Sequence, residues 1–151
     1  MATKSRASRK PESAREDLGV VDALVQLSFR VQEVLGRVAD EHDLSLVQVR
    51  LLGILRDREP GMFELAMFLG LDKSSATGLV TRAERRDLVR RSGRQEDRRA
   101  VHVALTAGGR KLVGAVEKQV ARELAKLVAG LDDLETKELA SLASRIVGMS
   151  L

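Results

Sequence analysis

The sequence predicts a mainly α fold (α+β) carrying a single two-stranded β-hairpin. Three observations lead there. Apolar residues recur at helical spacing through most of the 151 positions. One stretch, "AVHVAL" at 100–105, alternates instead, with Val101, Val103 and Leu105 on one face of a half-buried strand. Capping residues precede several of the helical runs, each where a first turn needs acceptors for its free amides.

The composition sets outer bounds. Hydrophobic residues make up 44% and charged residues 32%, which fits one globular, helix-rich domain rather than a disordered chain. The longest run without a charged residue, Ala100 to Gly109, is too short to span a membrane. The N-terminal "MATKSRASRKPESARED" has basic residues with no apolar core behind them, so it is not a secretory signal, and a cytoplasmic protein is expected. There is no cysteine, which excludes disulfides, thiolate metal sites and thiol redox switches. His42 and His102 lie far apart without ligand-spaced partners. No metal, no cofactor and no enzyme are expected, because no phosphate-cradling Gly loop, H-E-x-x-H or nucleophile elbow is present.

The elements follow in order. Residues 1–16 read as a basic, flexible arm. A long helix is expected over 17–42, with Val21, Leu24, Val31, Leu35 and Val38 on one stripe and Val20, Leu27 and Val34 beside it. "DLSLVQVRLLGILRD" starts a second helix, in which Ser45 and Gln48 form a capping-box pair. "EPG" at 59–61 interrupts the chain. A short helix, "MFELAMFLG", ends at Gly70, and Asp72 caps the next, "KSSATGLVTRAERRD". Two helices joined by so short a turn make a helix-turn-helix candidate. The strand "LVRRS", the loop "GRQEDRR" and the strand "AVHVAL" follow directly, which makes a winged arrangement. Thr106 caps a long helix with a heptad-like seam at 113, 116, 120, 124, 127 and 131, and Asp132 with Glu135 caps the last one.

Net charge is +4, and it is clustered. Residues 1–15 hold five basic residues against Glu12, and residues 82–99 hold eight arginines against four acids. Two basic islands on an acidic body favour a polyanion partner. In the helix after Asp72, Ala76, Leu79, Val80 and Ala83 take the core face. Ser74, Gly78, Thr81 and Arg85 lie opposite, flanked by Thr77 and Arg82. Gly78 fills no core role and costs about 1 kcal/mol relative to Ala in a helix, so close approach of another surface accounts for it. A small, polar, basic face suits a helix entering a DNA major groove, and Lys73, Ser74, Ser75, Thr77, Gly78, Thr81, Arg82 and Arg85 are its candidate contacts. In the wing, Arg90 and Arg91 are placed to face phosphates. Arg94, Arg98 and Arg99 form the tip, near the minor groove, with Asp97 orienting Arg99. The flanking helices, 17–42 and 106–151, carry more apolar surface than the winged part at 45–105 can cover. They are expected to form a homodimer that matches a palindromic duplex site.

These same stretches carry a resemblance. "LSLVQVRLLGIL", "ELAMFLGLDKSSATGLVTRAERRDLVRR", the Asp97-x-Arg99 pair and "VALTAGGRKL" together resemble the MarR (multiple antibiotic resistance regulator) family of bacterial transcription factors, over roughly 17–148. The resemblance implies a single winged helix-turn-helix domain over 17–151 on a helical dimer. It implies a helix at 73–86 in the major groove, with Arg99 entering the minor groove beside Asp97. It also implies a repressor of neighbouring genes, released when a small, often anionic aromatic, effector binds between the dimer helices and the winged part. Three features depart from the pattern. Asp87 stands where glycine is usual, Ala83 where a larger apolar residue is common, and Phe29, Phe63 and Phe68 are the only aromatics. The first two motivate a competing reading: a protein-interaction or ligand-insensitive module that keeps the winged-helix fold.

Overall fold

The structure is a computed structural model that describes residues 19–94 and 97–149, with side chains described outside 94–100 and 149. The basic arm at 1–16 lies outside the described residues. The order is α1 (Val20–Glu41), α2 (Leu46–Asp57), α3 (Met62–Leu69), α4 (Lys73–Arg85), β1 (Val89–Arg94), β2 (Asp97–Leu105), α5 (Ala107–Leu127) and α6 (Asp133–Met149). β1 and β2 are antiparallel, paired from Val89↔Leu105 to Gly93↔Val101, with an irregularity before Arg94↔Asp97.

The expected caps are present. Ser45 and Gln48 satisfy each other's amides. The Asp72 carboxylate accepts from the Ser75 amide at 2.9 Å, and the Thr106 hydroxyl from the Gly109 amide at 2.9 Å. Asp132 and Glu135 form the second box.

Three helices end alike. After α1, α3 and α4, a residue with φ of 53, 65 and 54 (Asp43, Gly70 and Asp87) reverses the chain. The next amide then returns to the carbonyl five residues back: Leu44 to Ala39, Leu71 to Ala66 and Leu88 to Ala83. This is the Schellman motif, whose left-handed position normally holds glycine. Aspartate is among the few other residues that tolerate that conformation. Asp87 therefore keeps the turn that glycine would make. Ala83 and Leu88, the pair this motif brings together, are both buried.

The core gathers Leu51, Leu52 and Leu55 of α2, Leu65 and Leu69 of α3, Leu79 and Val80 of α4, and Val89, Val103 and Leu105 of the hairpin. Val38 of α1 and Val113 and Val116 of α5 close it. Two expectations are corrected. Val101 is 40% exposed, because the hairpin has by then run past the domain that covers Val103 and Leu105. The strands continue to Arg94 and from Asp97, so the wing has longer arms and a shorter loop than "GRQEDRR" implied. Backbone pairing needs no apolar side chains, and the alternation signal cannot report it in an arginine-rich segment. "EPG" does more than break the chain. The Val103 amide donates to the Pro60 carbonyl at 3.0 Å, and Gly61 bridges His102, so a third segment edges β2.

The flanking helices behave differently from the core. Val20, Val21, Leu24, Val25, Leu27 and Phe29 of α1 are exposed, as are Leu127, Leu131, Leu134, Leu142 and Val147 toward the C-terminus. In α6 none of the side chains described is buried. The apolar seam of α5 is thus buried at Val113 and Val116 and bare by Leu127.

Candidate nucleic-acid interface

α4 buries Ala76, Leu79, Val80 and Ala83, as its periodicity requires. Lys73, Ser74, Ser75, Thr77, Arg82 and Arg85 are exposed, and Gly78 and Thr81 are half-buried. The structure thus brings the predicted groove-facing residues together on the outer side of one helix. Much of their hydrogen-bonding capacity is already used. The Ser75 hydroxyl donates to the Asp72 carboxylate at 2.6 Å. The Thr77 and Thr81 hydroxyls donate to the carbonyls of Lys73 and Thr77, at 2.7 and 2.9 Å. These groups remain acceptors. Ser75, its amide and its hydroxyl, holds the Asp72 carboxyl below the usual carboxylate range.

Gly78 is open. A Cβ built there meets only the Arg82 guanidinium, at 3.4 Å. Among the described residues, no packing demands glycine at this position. Gly109 is the opposite case: a Cβ there lies 1.9 Å from the Leu88 carbonyl oxygen. The first turn of α5 therefore sits directly on the α4–β1 junction. Thr106 ties it there, with its hydroxyl donating to the Asp87 carbonyl and its amide to the Leu88 carbonyl.

Arg90 is exposed at the base of the wing. Arg91 is half-buried and turned inward. Its amide donates to Glu84 at 3.0 Å, and its guanidinium bonds the other Glu84 oxygen, the Thr81 hydroxyl at 3.0 Å and the Thr77 carbonyl at 3.3 Å. Charge on Arg91 is thus largely answered inside the protein, and it clamps β1 to α4. The side chains of Arg94, Asp97, Arg98 and Arg99 lie outside the described residues. Arg82, Arg85 and Arg90 make no ion pair among the described residues and leave a cationic edge from α4 to the wing base.

Sequence reasoning missed several anchors. Glu84 was counted only as a charge, although it lies one helical face from Thr81 and seven residues before Arg91. Arg86 donates to the carbonyls of Asp43 and His42, pinning the end of α4 to the α1–α2 turn. The His42 ring meets the side-chain amide oxygen of Gln119 on α5 at 3.0 Å, and His102 donates to the Glu59 backbone carbonyl at 2.9 Å. Both histidines are structural links. Backbone carbonyl acceptors leave no trace in sequence, and the side-chain pairs lie at no fixed spacing, so no pattern announced these contacts. No cluster of His, Cys, Asp and Glu fit to hold a metal occurs among the described residues, and no helix there is long and apolar enough to cross a membrane.

A cavity of about 140 Å³ lies between α1, α2 and α5, walled by Leu35, Leu52, Val113, Val116 and Val120 among others. It sits where the flanking helices meet the winged part.

Residues 44–101 match the MarR family. YfiV of Bacillus subtilis (strain 168), an uncharacterised HTH-type transcriptional regulator, is 36% identical over 78 residues, which are 50% of this chain and 49% of YfiV. The chain thus spans about half the length of that relative. The apo form of wild-type MarR from E. coli superposes with a TM-score of 0.74 at 21% identity, over 87% of this chain and 98% of that one. NadR, solved in complex with 4-hydroxyphenylacetate, gives a TM-score of 0.69 at 22% identity, over 97% of each chain. The curated relatives are transcriptional regulators and not enzymes. The motifs of 44–112 are thus placed on a winged helix-turn-helix fold, the part that matches the MarR family model is 44–101, and the curated relatives that resemble the chain are transcriptional regulators.

Proposed function

We propose that this chain is a dimeric, sequence-specific, duplex-DNA-binding regulator that represses neighbouring genes and releases DNA on binding a small effector. One observation carries the DNA-binding reading. The outer face of α4 combines an open Gly78 with exposed Ser74, Arg82 and Arg85, and Arg90 extends that face onto the wing. A helix in a major groove needs small groups where it approaches the bases and cations where it meets phosphates. Arg99, with Asp97 beside it, is assigned to the adjacent minor groove.

Dimerisation is supported by the exposed apolar residues of α1 and α6. Singly exposed hydrophobics are ordinary, but two whole helix faces left bare in one monomer mark an interface. A two-fold dimer reads an inverted repeat with half-sites about one helical turn apart. Sedimentation is expected to show a dimer, and Leu142→Asp with Val147→Asp a folded monomer. Effector release is supported by the cavity between α1, α2 and α5 and by NadR's bound 4-hydroxyphenylacetate. The competing protein-interaction reading loses one of its two motives, since Asp87 occupies an ordinary Schellman turn.

Duplex DNA from upstream of the chain's own gene tests the reading. A gel shift that is competed by the same duplex and not by a scrambled one is expected. No shift at low salt would overturn it.

A further inference from the structure

We propose that the cavity between α1, α2 and α5 takes an uncharged, apolar molecule of about the size of benzene, so that the effector class of this chain is neutral rather than anionic. The proposal rests on the reading of this cavity as the effector site.

The walls decide the class. Leu35, Leu44, Val49, Leu52, Val113 and Val116 supply hydrocarbon, and no polar atom contributes to the lining surface. Glu117 borders the cavity, yet its carboxylate accepts from the Arg56 guanidinium. Arg56 is in turn bound to Asp57 as well, so the neighbouring cation is already answered twice. A ligand carboxylate inside would find neither donor nor free cation. Burying an unpaired charge among aliphatic side chains is far more costly than its apolar contacts can offset. An aryl acid of the kind bound by NadR therefore lacks the partner it needs here.

Size and dryness point the same way. These walls offer none of the two to four polar partners that hold an ordered water. A dry apolar cavity of about 150 Å³, lined by Leu, Ile and Phe, is known to take benzene or xenon. The cavity here is about 140 Å³. A single apolar ring fits that volume.

Gly53 marks the mouth. It lines the cavity, is exposed to solvent, and stands mid-helix in α2. A Cβ built there meets nothing within 4 Å, so packing does not call for glycine. A missing side chain at the rim leaves the entrance clear, at the usual cost of glycine inside a helix.

The test uses the ¹⁵N-labelled full chain titrated separately with benzene and with benzoate. Benzene is expected to shift the amides of Gly53, Val113 and Val116 saturably, with benzoate inactive at the same concentrations. Gly53→Leu, which folds because the site is open and leucine favours helix, is expected to weaken the benzene response at least tenfold. Benzoate acting on these amides as strongly as benzene would overturn the neutral class and leave the effector site standing. Silence from both probes would remove the cavity as an effector site. An undiminished benzene response in Gly53→Leu would overturn the assignment of the mouth. The gel shift without either probe reports on DNA binding independently of all three outcomes.

Discussion

Arg91 and Glu84 are joined across the corner between α4 and β1, through the Arg91 amide at 3.0 Å and through its guanidinium. Both side chains are less than a third exposed. The wing base therefore does not hang freely from α4. α4 and the wing base are held at one angle by a charge-assisted contact that also occupies the Thr81 hydroxyl.

Glu84→Gln weakens that clamp without changing its shape. A stability loss of about 1–2 kcal/mol is expected by urea unfolding, the usual scale for hydrogen bonds to a charged partner. Faster hydrogen exchange at the Arg91 amide should accompany it. Unchanged exchange there would mean that β1 is held by its strand pairing alone.

Two identical substitutions should act in opposite directions. Gly109→Ala drives a methyl into the Leu88 carbonyl and should cost about 3 kcal/mol or prevent folding. Gly78→Ala meets only a movable arginine end, and should raise stability by up to about 1 kcal/mol. If the outer face of α4 enters the groove as proposed, the same Gly78→Ala should lower DNA affinity about tenfold, because its methyl would stand at the point of closest approach. Stability by denaturation and affinity by anisotropy separate the two effects. Unaltered affinity would place Gly78 away from the DNA.

Asp87 sits at φ 54, in the region where glycine carries no penalty. Asp87→Gly is expected to be neutral or to stabilise by up to about 1 kcal/mol, while Asp87→Val should destabilise by about 1–2 kcal/mol. Equal effects of the two replacements in urea melts would show that backbone strain is not what distinguishes this position.

These turns also show what the sequence could and could not display. Caps such as Ser45–Gln48 and Asp72 were readable, because a cap is a local bond between residues three apart. The core face of α4 was readable, because periodicity alone sets it. Arg91 was read as facing phosphate, but it is spent on Glu84, because a contact across a corner has no fixed spacing. The exposure of Val101 depended on where the domain ends, which alternation does not encode. Asp87 looked anomalous beside a glycine pattern, yet only the hydrogen bonds to Ala83 and Glu84 reveal that the turn is unchanged.

The cap of α4 should be visible in acid. Asp72 is held below the usual carboxylate range chiefly by the Ser75 hydroxyl and then by the Ser75 amide. A depressed folded pKa contributes stability that is complete above the unfolded value of about 3.9 and is lost as pH falls through the folded one. Thermal midpoints should therefore hold above about pH 5 and decline below about pH 4. Asp72→Asn keeps a cap that does not titrate, so its decline should be shallower. Parallel profiles for the two proteins would assign the acid loss to other groups.

α4 and the wing are proposed to bind the phosphates of duplex DNA through arginines that make no ion pair among the described residues. The most direct measurement of this binding is the affinity for the upstream duplex between about 50 and 200 mM salt, for the wild type and for Arg82→Ala. A steep linear fall of log affinity with log salt is expected, with a slope smaller by about one for Arg82→Ala. A flat response, or a slope that Arg82→Ala leaves unchanged, would contradict it.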